Sequence, residues 1–399
     1  MRRFLVAGAA IAACALTALA QQPPPDGPYK VLRAAKVGGE GGHDYIYADS
    51  VGRRLYIPRG AGRGGPAGTP PAPDAPKNRI SVYNLDSLEL VGEVPVIGSG
   101  NGAAVDPKSG HGFATTHPSI TMFDTKTLKV LKQIDVAQGN SPDGIYFDPF
   151  NERVYSFSHG THDATVIDAK DGSVVGTIDL GGTPEQAVGD GKGTLYVVMQ
   201  DRPGGVAVVD VKAMKTTTHY SFGDAATGNG SCNGLALDAK NGVLFAACAG
   251  VGPGAARGTP GQPAAPPPPP AAPGAMPLTQ MVILSAKDGH IITKLPLAGG
   301  SDGAVFNPAT MEAFSSHSNG TMTIVKEKNP TTFEVEQNLQ TMLGARTITL
   351  DTKTNHLFVM SEERGPAPPP PATPPPAGQR GGGPPIVPGS FTIVVVGIK

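Results

Sequence analysis

Apolar and polar positions follow one pattern that repeats seven times along the chain. Each copy opens on a corner rich in glycine, asparagine and aspartate, and an apolar stretch then runs into an acidic or amide residue. The residues that end these stretches are Asp49, Asp106, Asp148, Asp190, Asp238, Asn307 and Asp351. Where no insert intervenes they lie 42 to 48 residues apart, and twice 42, as from Asp106 to Asp148. This period is typical of the four-stranded blade of a β-propeller.

Three further strands are predicted in each copy except the last, which has two. The second carries an aromatic residue, at Tyr56, Phe113, Tyr155, Tyr196, Phe245, Phe314 and Phe358. The third is apolar nearly throughout, as in ATVID at 164–168, which is expected where neighbouring blades cover both faces. The fourth is more polar, as in Lys129 to Val136, and suits an exposed edge. The sequence therefore predicts an all-β fold, a seven-bladed β-propeller with four-stranded antiparallel blades.

The two ends of the chain predict how the ring closes. The last copy stops after its third strand, at Ile398-Lys399, while Tyr29 to Val37 forms a strand that belongs to no copy. Seven blades in a line would leave an open sheet edge. We therefore predict that the N-terminal strand closes the last blade by pairing with Phe391 to Ile398.

The repeat resembles that of the YVTN-repeat β-propellers of the YncE-like group. The likeness rests on the aromatic second strand Leu195-Tyr196-Val197-Val198, the third strand Val166-Ile167-Asp168 and the corner TIDLGGTPE at 177–185. It covers the chain apart from the inserts and the N-terminus, and the absence of tryptophan argues against a WD-type repeat. The resemblance implies a fold and leaves the chemistry open, because such propellers have diverse roles.

Proline and glycine, 41 and 54 residues, are concentrated in part in three blocks, at 58–78, 249–278 and 362–388. Each block falls between the second and third strands of its copy, so we expect all three inserts on one face of a single propeller domain over 29–399. Their composition cannot bury a core. They are interpreted either as tolerated loop expansion or as a docking surface or lid over the channel mouth.

The N-terminal sequence is typical of a secretory signal. Arg2-Arg3, an apolar run and Ala18-Leu19-Ala20 predict a signal peptide over 1–20, followed by a disordered leader over 21–28. A competing interpretation makes Cys14 the lipid-anchored residue of a lipobox. No later apolar run reaches the roughly 18 residues of a membrane span. We expect an exported protein, periplasmic or secreted, in a compartment that permits disulfides.

The net charge and the absence of known motifs disfavour several classes of function. The 32 basic and 33 acidic residues give a net charge of -1, which disfavours nucleic acid and anionic membranes as partners. No GxSxG, HExxH or CxxCH motif occurs. The expected partner is an unknown small molecule or protein, and the chain is expected to be a monomer.

The corners that lead into the innermost strands supply the candidate ligand-binding residues. They are Asp44, Asn101, Asp143, Glu185, Asn233, Asp302 and Arg346. A polar ring at a channel mouth would bind a ligand, with Asp143 and Asp302 as carboxylates and Arg346 as an anion contact. The alternative is that these residue types only serve turn geometry.

Histidines near the same loops are the candidate metal ligands. His117, His159 and His317 each follow a second strand, and His162 lies close to His159. Imidazoles at equivalent blade positions could ligate a metal or act as acid and base. The alternative is that they are polar loop residues that bind backbone or water.

Cys232 and Cys248 belong to one predicted blade. Antiparallel pairing about the turn at Ala239 to Gly242 places them nearly opposite each other, which predicts a disulfide in an oxidising compartment. The alternative is a pair of buried small apolar residues.

These observations favour an exported binding or interaction module with its site at the channel mouth on the insert-bearing face. The alternative hypothesis is a metal-assisted lyase or hydrolase that uses His117, His159 or His317 for the ion and Asp143 or Glu185 as base. No cofactor is predicted, and a divalent metal is the open alternative.

Overall fold

The computed structural model describes residues 26–60, 77–98, 100–201, 203–223, 230–248, 279–366 and 385–399. Within these residues the chain forms 28 β-strands in seven antiparallel sheets of four strands each. The sheets are arranged as the blades of a propeller, with consecutive innermost strands in contact around the ring. This confirms the predicted fold class. No helix in the described part of the chain could cross a membrane.

The first four blades each use four consecutive strands. Blade 1 contains β2 (Tyr47–Asp49), β3 (Arg54–Arg59), β4 (Arg79–Asn84) and β5 (Leu90–Pro95). Blade 2 contains β6 (Gly100–Asp106), β7 (His111–Thr116), β8 (Ser119–Asp124) and β9 (Val130–Asp135). Blade 3 contains β10 (Pro142–Asp148), β11 (Arg153–Ser158), β12 (Asp163–Asp168) and β13 (Val174–Asp179). Blade 4 contains β14 (Pro184–Gly189), β15 (Thr194–Met199), β16 (Gly205–Asp210) and β17 (Lys215–Ser221).

The last three blades complete the ring. Blade 5 contains β18 (Cys232–Asp238), β19 (Val243–Cys248), β20 (Gln280–Ser285) and β21 (Ile291–Pro296). Blade 6 contains β22 (Ser301–Asn307), β23 (Glu312–His317), β24 (Thr321–Asn329) and β25 (Thr332–Gln340). Blade 7 contains β26 (Ile348–Asp351), β27 (His356–Ser361), β28 (Thr392–Ile398) and, as its outermost strand, β1 (Tyr29–Lys36).

Strand β1 closes the ring as predicted. It pairs antiparallel with β28 from Tyr29 opposite Ile398 to Lys36 opposite Thr392. The first and last strands therefore share one blade, and β28 is not left as an open edge.

Tyr29 also ties the closing strand to blade 6. Its backbone N–H donates to Gln337 Oε1 at 3.1 Å, and Gln337 Nε2 donates back to Tyr29 O at 3.0 Å. The Tyr29 ring packs edge-on against Phe314 with centroids 5.1 Å apart, and its hydroxyl donates to Glu312. The ring is thus closed by the pairing of β1 with β28 and by buried hydrogen bonds from Tyr29 to the preceding blade.

The core lies between the blades. The predicted second-strand aromatics are all buried, with exposures of 0 to 6% at Tyr56, Phe113, Tyr155, Tyr196, Phe245, Phe314 and Phe358. The apolar third strands are buried on both faces because the next blade covers them. The outermost strands β5 and β13 bury one residue each, Val94 and Ile178, and present the rest to solvent.

The repeated acidic residue at the end of each inner strand forms the following turn. In each blade a side-chain oxygen of this residue accepts the backbone N–H two residues on, at 2.7 to 3.1 Å. These are Asx turns, which fix the hairpin to the second strand. The seven repeated residues therefore serve the fold, at the end of the strands away from the corner residues.

Parts of the predicted inserts fall within described segments. Strand β3 continues through Pro58 and Arg59, so the first insert starts later than its predicted boundary, and Gly42 bridges Gly60 beyond it. Arg364 bridges Ile386 at the neck of the third insert. Residues 61–76, 249–278 and 367–384 lie outside the described residues, as do the predicted signal peptide, Cys14 and the leader up to residue 25.

Removal of the closing strand tests how much the ring depends on it. A chain that begins at Gly38 lacks β1 and exposes the edge of β28, and we expect a melting temperature lower by more than 10 °C or loss of cooperative unfolding. A chain that begins at Pro28 keeps β1 and is the control. Equal melting temperatures for the two truncations, measured by circular dichroism, would show that β1 contributes nothing to ring stability.

Candidate functional site

A cavity of about 860 Å³ opens at one mouth of the central channel. Its lining includes all seven predicted corner residues, Asp44, Asn101, Asp143, Glu185, Asn233, Asp302 and Arg346. The lining also includes His159, the only one of the four predicted metal-ligand histidines found there. The structure therefore brings one residue from every blade to a single polar cavity.

Bulges at the start of the inner strands place most of these side chains. The pairing of the first and second strands shifts register between Gly100 and Gly102, Pro142 and Ile145, Pro184 and Ala187, Cys232 and Gly234, and Ser301 and Gly303. The corner residue of blades 2 to 6 lies inside this interval. A bulge interrupts the alternation of side chains along a strand and re-aims the residue it contains. This repeated irregularity is the local cause of the polar ring.

The two asparagines of the ring bind neighbouring corners. Asn101 Nδ2 donates to Pro142 O at 2.7 Å, and Asn233 Nδ2 donates to Asp302 Oδ1 at 2.9 Å. Each bond joins one blade to the next. Both asparagine side chains therefore have partners within the protein, in contacts that cross between blades.

Arg346 contacts carboxylates of the ring. Its Nε lies 3.1 Å from Asp302 Oδ2, and its Nη2 lies 3.8 Å from Asp44 Oδ1. Burial opposes the charge of the guanidinium, but Asp302 and Asp44 raise the pKa of Arg346 above its ordinary value. The expected anion contact is thus already engaged by two acidic residues of the protein.

Asp143, His159 and Glu185 form a compact group on the opposite part of the ring. His159 Nε2 lies 3.3 Å from Asp143 Oδ2 and 3.5 Å from Glu185 Oε1. The three side chains can bring one ligand atom each to within 4.8 Å of one another, and no other such group of His, Cys, Asp or Glu occurs in the described residues. Both carboxylates are buried, whereas the His159 side chain is 18% exposed.

The fold positions this group through adjacent elements. His159 directly follows β11, which pairs with β10 at Ser158 opposite Pro142, so its imidazole lies beside the bulge that carries Asp143. The His159 N–H donates to Ser141 O at 3.3 Å and holds the loop there. Glu185 comes from the inner strand of the next blade, which contacts β10 along the channel.

Glu185 is held by two neutral donors. The Tyr45 hydroxyl donates to Oε2, and Gln200 Nε2 donates to Oε1. Burial raises the pKa of Glu185 well above its ordinary range, and the nearby Asp143 carboxylate raises it further. Burial also raises the pKa of Tyr45, so its hydroxyl remains a donor.

Tyr45 and Gln186 reach from their own blades to others, and neither residue was among those predicted from the sequence. Gln186 Oε1 accepts the N–H groups of Leu235 and Ala304 at 3.0 Å each, and its Nε2 donates to Ala304 O at 2.8 Å. Tyr45 reaches across to Glu185 on blade 4. Both positions were visible as breaks in the repeat, because the residue after the corner is glycine in blades 2, 3, 5 and 6.

In blade 5, glycine at that position is required by close approach of the inner strands. A Cβ at Gly234 would lie 2.8 Å from Ala304 N, inside the contact distance of the two backbones. A Cβ at Gly144 would lie 3.8 Å from Tyr45 Cε2 and 3.4 Å from Glu185 O. A side chain would therefore clash with backbone at Gly234, whereas at Gly144 a Cβ would make contacts of ordinary length.

The other three candidate histidines do not reach the cavity. His317 lies opposite Ser301 in the β22–β23 pairing, the position that Ser158 holds in blade 3, so it is one residue out of register with His159. A shift of one residue turns the side chain to the other face of the strand. His317 is fully buried, its Nε2 lies 3.0 Å from Thr323 Oγ1, and burial lowers its pKa to about 3.

His117 is in register with His159 but lies in a shorter loop. The residues His117 and Pro118 alone join β7 to β8, and both are exposed. His162 is exposed in the turn before β12, with a φ of 57°. For these residues the structure agrees with the interpretation as polar loop residues.

The necks of two inserts border the cavity. Gly60 and the segment Glu362 to Arg364 belong to its lining, and Arg364 Nη2 lies 2.7 Å from Glu362 Oε1. Desolvation raises the pKa of Glu362 although Arg364 opposes this. The predicted common face of the inserts therefore holds for the two necks that the structure describes.

Cys232 and Cys248 are bonded to each other through sulfur atoms 2.05 Å apart. They face each other at the end of the β18–β19 pairing, and both are buried. The bond joins the residue before Asn233 of the ring to the last residue before the second insert.

Comparison with known proteins supports the fold and no narrower assignment. No family model matches the chain, and no curated protein matches it. Among solved structures, a chain of Kuenenia stuttgartiensis hydrazine synthase is similar with a TM-score of 0.63 at 14% identity, over 82% of this chain and 94% of that one. A chain of the mitotic checkpoint complex is similar with a TM-score of 0.62 at 9% identity, over 90% and 96% of the two chains. Membership of the YncE-like group stays a prediction.

Glu185 should make stability depend on pH. A carboxyl whose pKa is raised by folding destabilises the folded state as pH rises above the ordinary glutamate value of about 4.3. In chelator-treated protein we expect Glu185→Gln to melt at a higher temperature than the wild type at pH 8, with the difference shrinking toward pH 4. A wild type that melts higher than the variant at pH 8 would contradict a raised pKa for this carboxyl.

The disulfide should stabilise blade 5. For a separation of 16 residues, loss of the cross-link is expected to lower the unfolding free energy by about 3 kcal/mol. The double variant Cys232→Ser/Cys248→Ser, compared with wild type before and after reduction, measures this in denaturant titrations. If reduction of the wild type leaves its transition midpoint unchanged, the cross-link does not contribute.

Proposed function

We propose that this protein is an exported binding module that takes up a positively charged ligand at the mouth of the propeller channel. The observation that carries the proposal is the composition of the cavity wall. The lining contains six acidic side chains and two arginines, an excess of four acidic over basic side chains. Each arginine already contacts an acidic residue, Arg346 at Asp302 and Arg364 at Glu362.

The volume of the cavity favours a small ligand. Its volume of about 860 Å³ lies within the range of roughly 300–1,000 Å³ that small-molecule sites occupy. Acidic groups buried on its wall are costly without a counter-charge, and a bound cation supplies one.

Export is supported by two independent features. The N-terminal residues have the composition of a secretory signal, and a buried disulfide is typical of proteins that fold in oxidising compartments. Fractionation of cells that express the full chain, with mass spectrometry of its N-terminus, would find cleavage after Ala20. Protein retained in the cytoplasm with its first residues intact would contradict export.

The enzymatic alternative is a metal-assisted lyase or hydrolase, and the geometry leaves it only one histidine. Of its three histidines only His159 faces the cavity, so any metal chemistry would depend on His159 together with Asp143 and Glu185. A binding module accounts for the same residues without a reaction.

Charge selectivity tests the proposal. Putrescine and succinate are four-carbon molecules of opposite charge, and we expect putrescine to raise the melting temperature while succinate does not. Asp143→Asn should weaken putrescine binding about tenfold, the loss expected for one charge-assisted contact. Glu334→Gln removes the same charge from the exposed outermost strand of blade 6 and should leave binding unchanged. Stronger stabilisation by succinate, or equal effects of the two variants, would contradict the proposal.

A further inference from the structure

The group formed by Asp143, His159 and Glu185 leads to an inference that deepens the proposed function and rests on it. We infer that the cation bound at the mouth is a divalent transition-metal ion, held by one oxygen of Asp143, Nε2 of His159 and one oxygen of Glu185. The organic cation putrescine is then a probe of charge, and the metal is the resident ligand.

Distances between the donor atoms support a metal. His159 Nε2 lies 3.3 Å from the Asp143 oxygen and 3.5 Å from the Glu185 oxygen. Two ligand atoms bound to one tetrahedral ion at about 2.1 Å are separated by about 3.4 Å. Two of the three donor pairs already have this separation, and all three atoms lie within 4.8 Å.

The state of the imidazole nitrogen is the second observation. His159 Nε2 is inaccessible to solvent and makes no hydrogen bond, although two carboxylates lie beside it. Buried polar atoms nearly always have a partner. An imidazole nitrogen that lies between two carboxylate oxygens without a hydrogen bond is in a position where a metal ion would give all three atoms a partner.

The types of donor indicate which metals fit. Calcium and magnesium prefer oxygen ligands alone. One imidazole with two carboxylates is instead suited to zinc, manganese or ferrous iron. Three protein ligands leave the remaining position of a tetrahedral ion directed to the cavity, where water or a solute would bind.

Neighbouring side chains hold the ligands in place. Tyr45 and Gln200 each donate to one oxygen of Glu185. Because a carboxylate oxygen has two lone pairs, an oxygen that accepts one of these bonds can still bind an ion. Such outer partners orient metal ligands, and the Thr115 hydroxyl similarly fixes the backbone oxygen of Asp143.

Titration of untagged, chelator-stripped protein with Zn²⁺, Mn²⁺ or Ca²⁺ alone tests the inference by calorimetry. We expect one Zn²⁺ or Mn²⁺ per chain at this site and no comparable binding of Ca²⁺. His159→Gln, Asp143→Asn and Glu185→Gln should each weaken binding by about tenfold or more. His117→Gln is the matched control, because His117 occupies the same loop position in blade 2 and is exposed there.

Absorption spectroscopy with Co²⁺ provides a second measurement. Bound Co²⁺ with few nitrogen and oxygen ligands gives a visible absorption band. The band should be absent in His159→Gln and present in His117→Gln. His159 lies on a partly exposed loop, so its variant should melt like the wild type in chelator. Glu185→Gln and Asp143→Asn report independently if one variant fails to fold.

Three results would overturn the inference: no stoichiometric binding of Zn²⁺ or Mn²⁺, tighter binding of Ca²⁺ than of either, or binding that survives His159→Gln. The proposed function fails separately. Stabilisation by putrescine that needs Asp143, without any metal binding, would leave a site for organic cations and refute only the metal. Absence of both would refute the two proposals together.

Discussion

Pairing of the first strand with the last is the constraint on which the rest of the structure depends. Once β1 completes blade 7 beside β28, seven inner strands must lie around one axis with their starting corners at the same end. Every corner side chain then lies at the same opening of the channel, whatever its chemical type. The polar cavity is therefore a consequence of closure, and the Tyr29 contacts to Gln337 and Glu312 stabilise the site as well as the sheet.

Closure also concentrates negative charge, which has to be compensated. Where Arg346 lies between Asp302 and Asp44, and where asparagines donate to their neighbours, the ring compensates itself. On the side of Asp143 and Glu185 the contacts to Glu185 come from the neutral groups of Tyr45 and Gln200. Neutral donors orient a carboxylate without cancelling its charge. This asymmetry within one ring distinguishes a candidate cation site from a set of turn residues.

The fold could be predicted well from the sequence because its signals are local and repeated. A period near 42 residues, the aromatic of each second strand and the unassigned strand at 29–37 were sufficient for the blades and their closure. The corner ring followed from the same period. His317 was grouped with His159 on spacing, but the register of β22 and β23 places it one residue earlier and turns it into the blade. The spacing of the histidines in the sequence does not determine the register of the strand pairing, because that register depends on the bulges.

The local sequence pattern could not predict the roles of the residues that complete the site. Tyr45 and Gln186 act across blades, and their roles require knowing which blades face each other across the axis. Gln200 follows the second strand of blade 4 and donates to Glu185 of the same blade. Only the break in the run of glycines after the corner residues marked two of these positions. The residues that differ between copies, more than those the copies share, carry the function proposed for this propeller.

Anomalous diffraction from crystals soaked in Zn²⁺ would locate the inferred ion itself. We expect one strong peak at the channel mouth, within about 2.0–2.2 Å of His159 Nε2 and of one oxygen each of Asp143 and Glu185. No peak in the cavity, with zinc found only at exposed histidines such as His117 or His162, would contradict a metal site at the mouth.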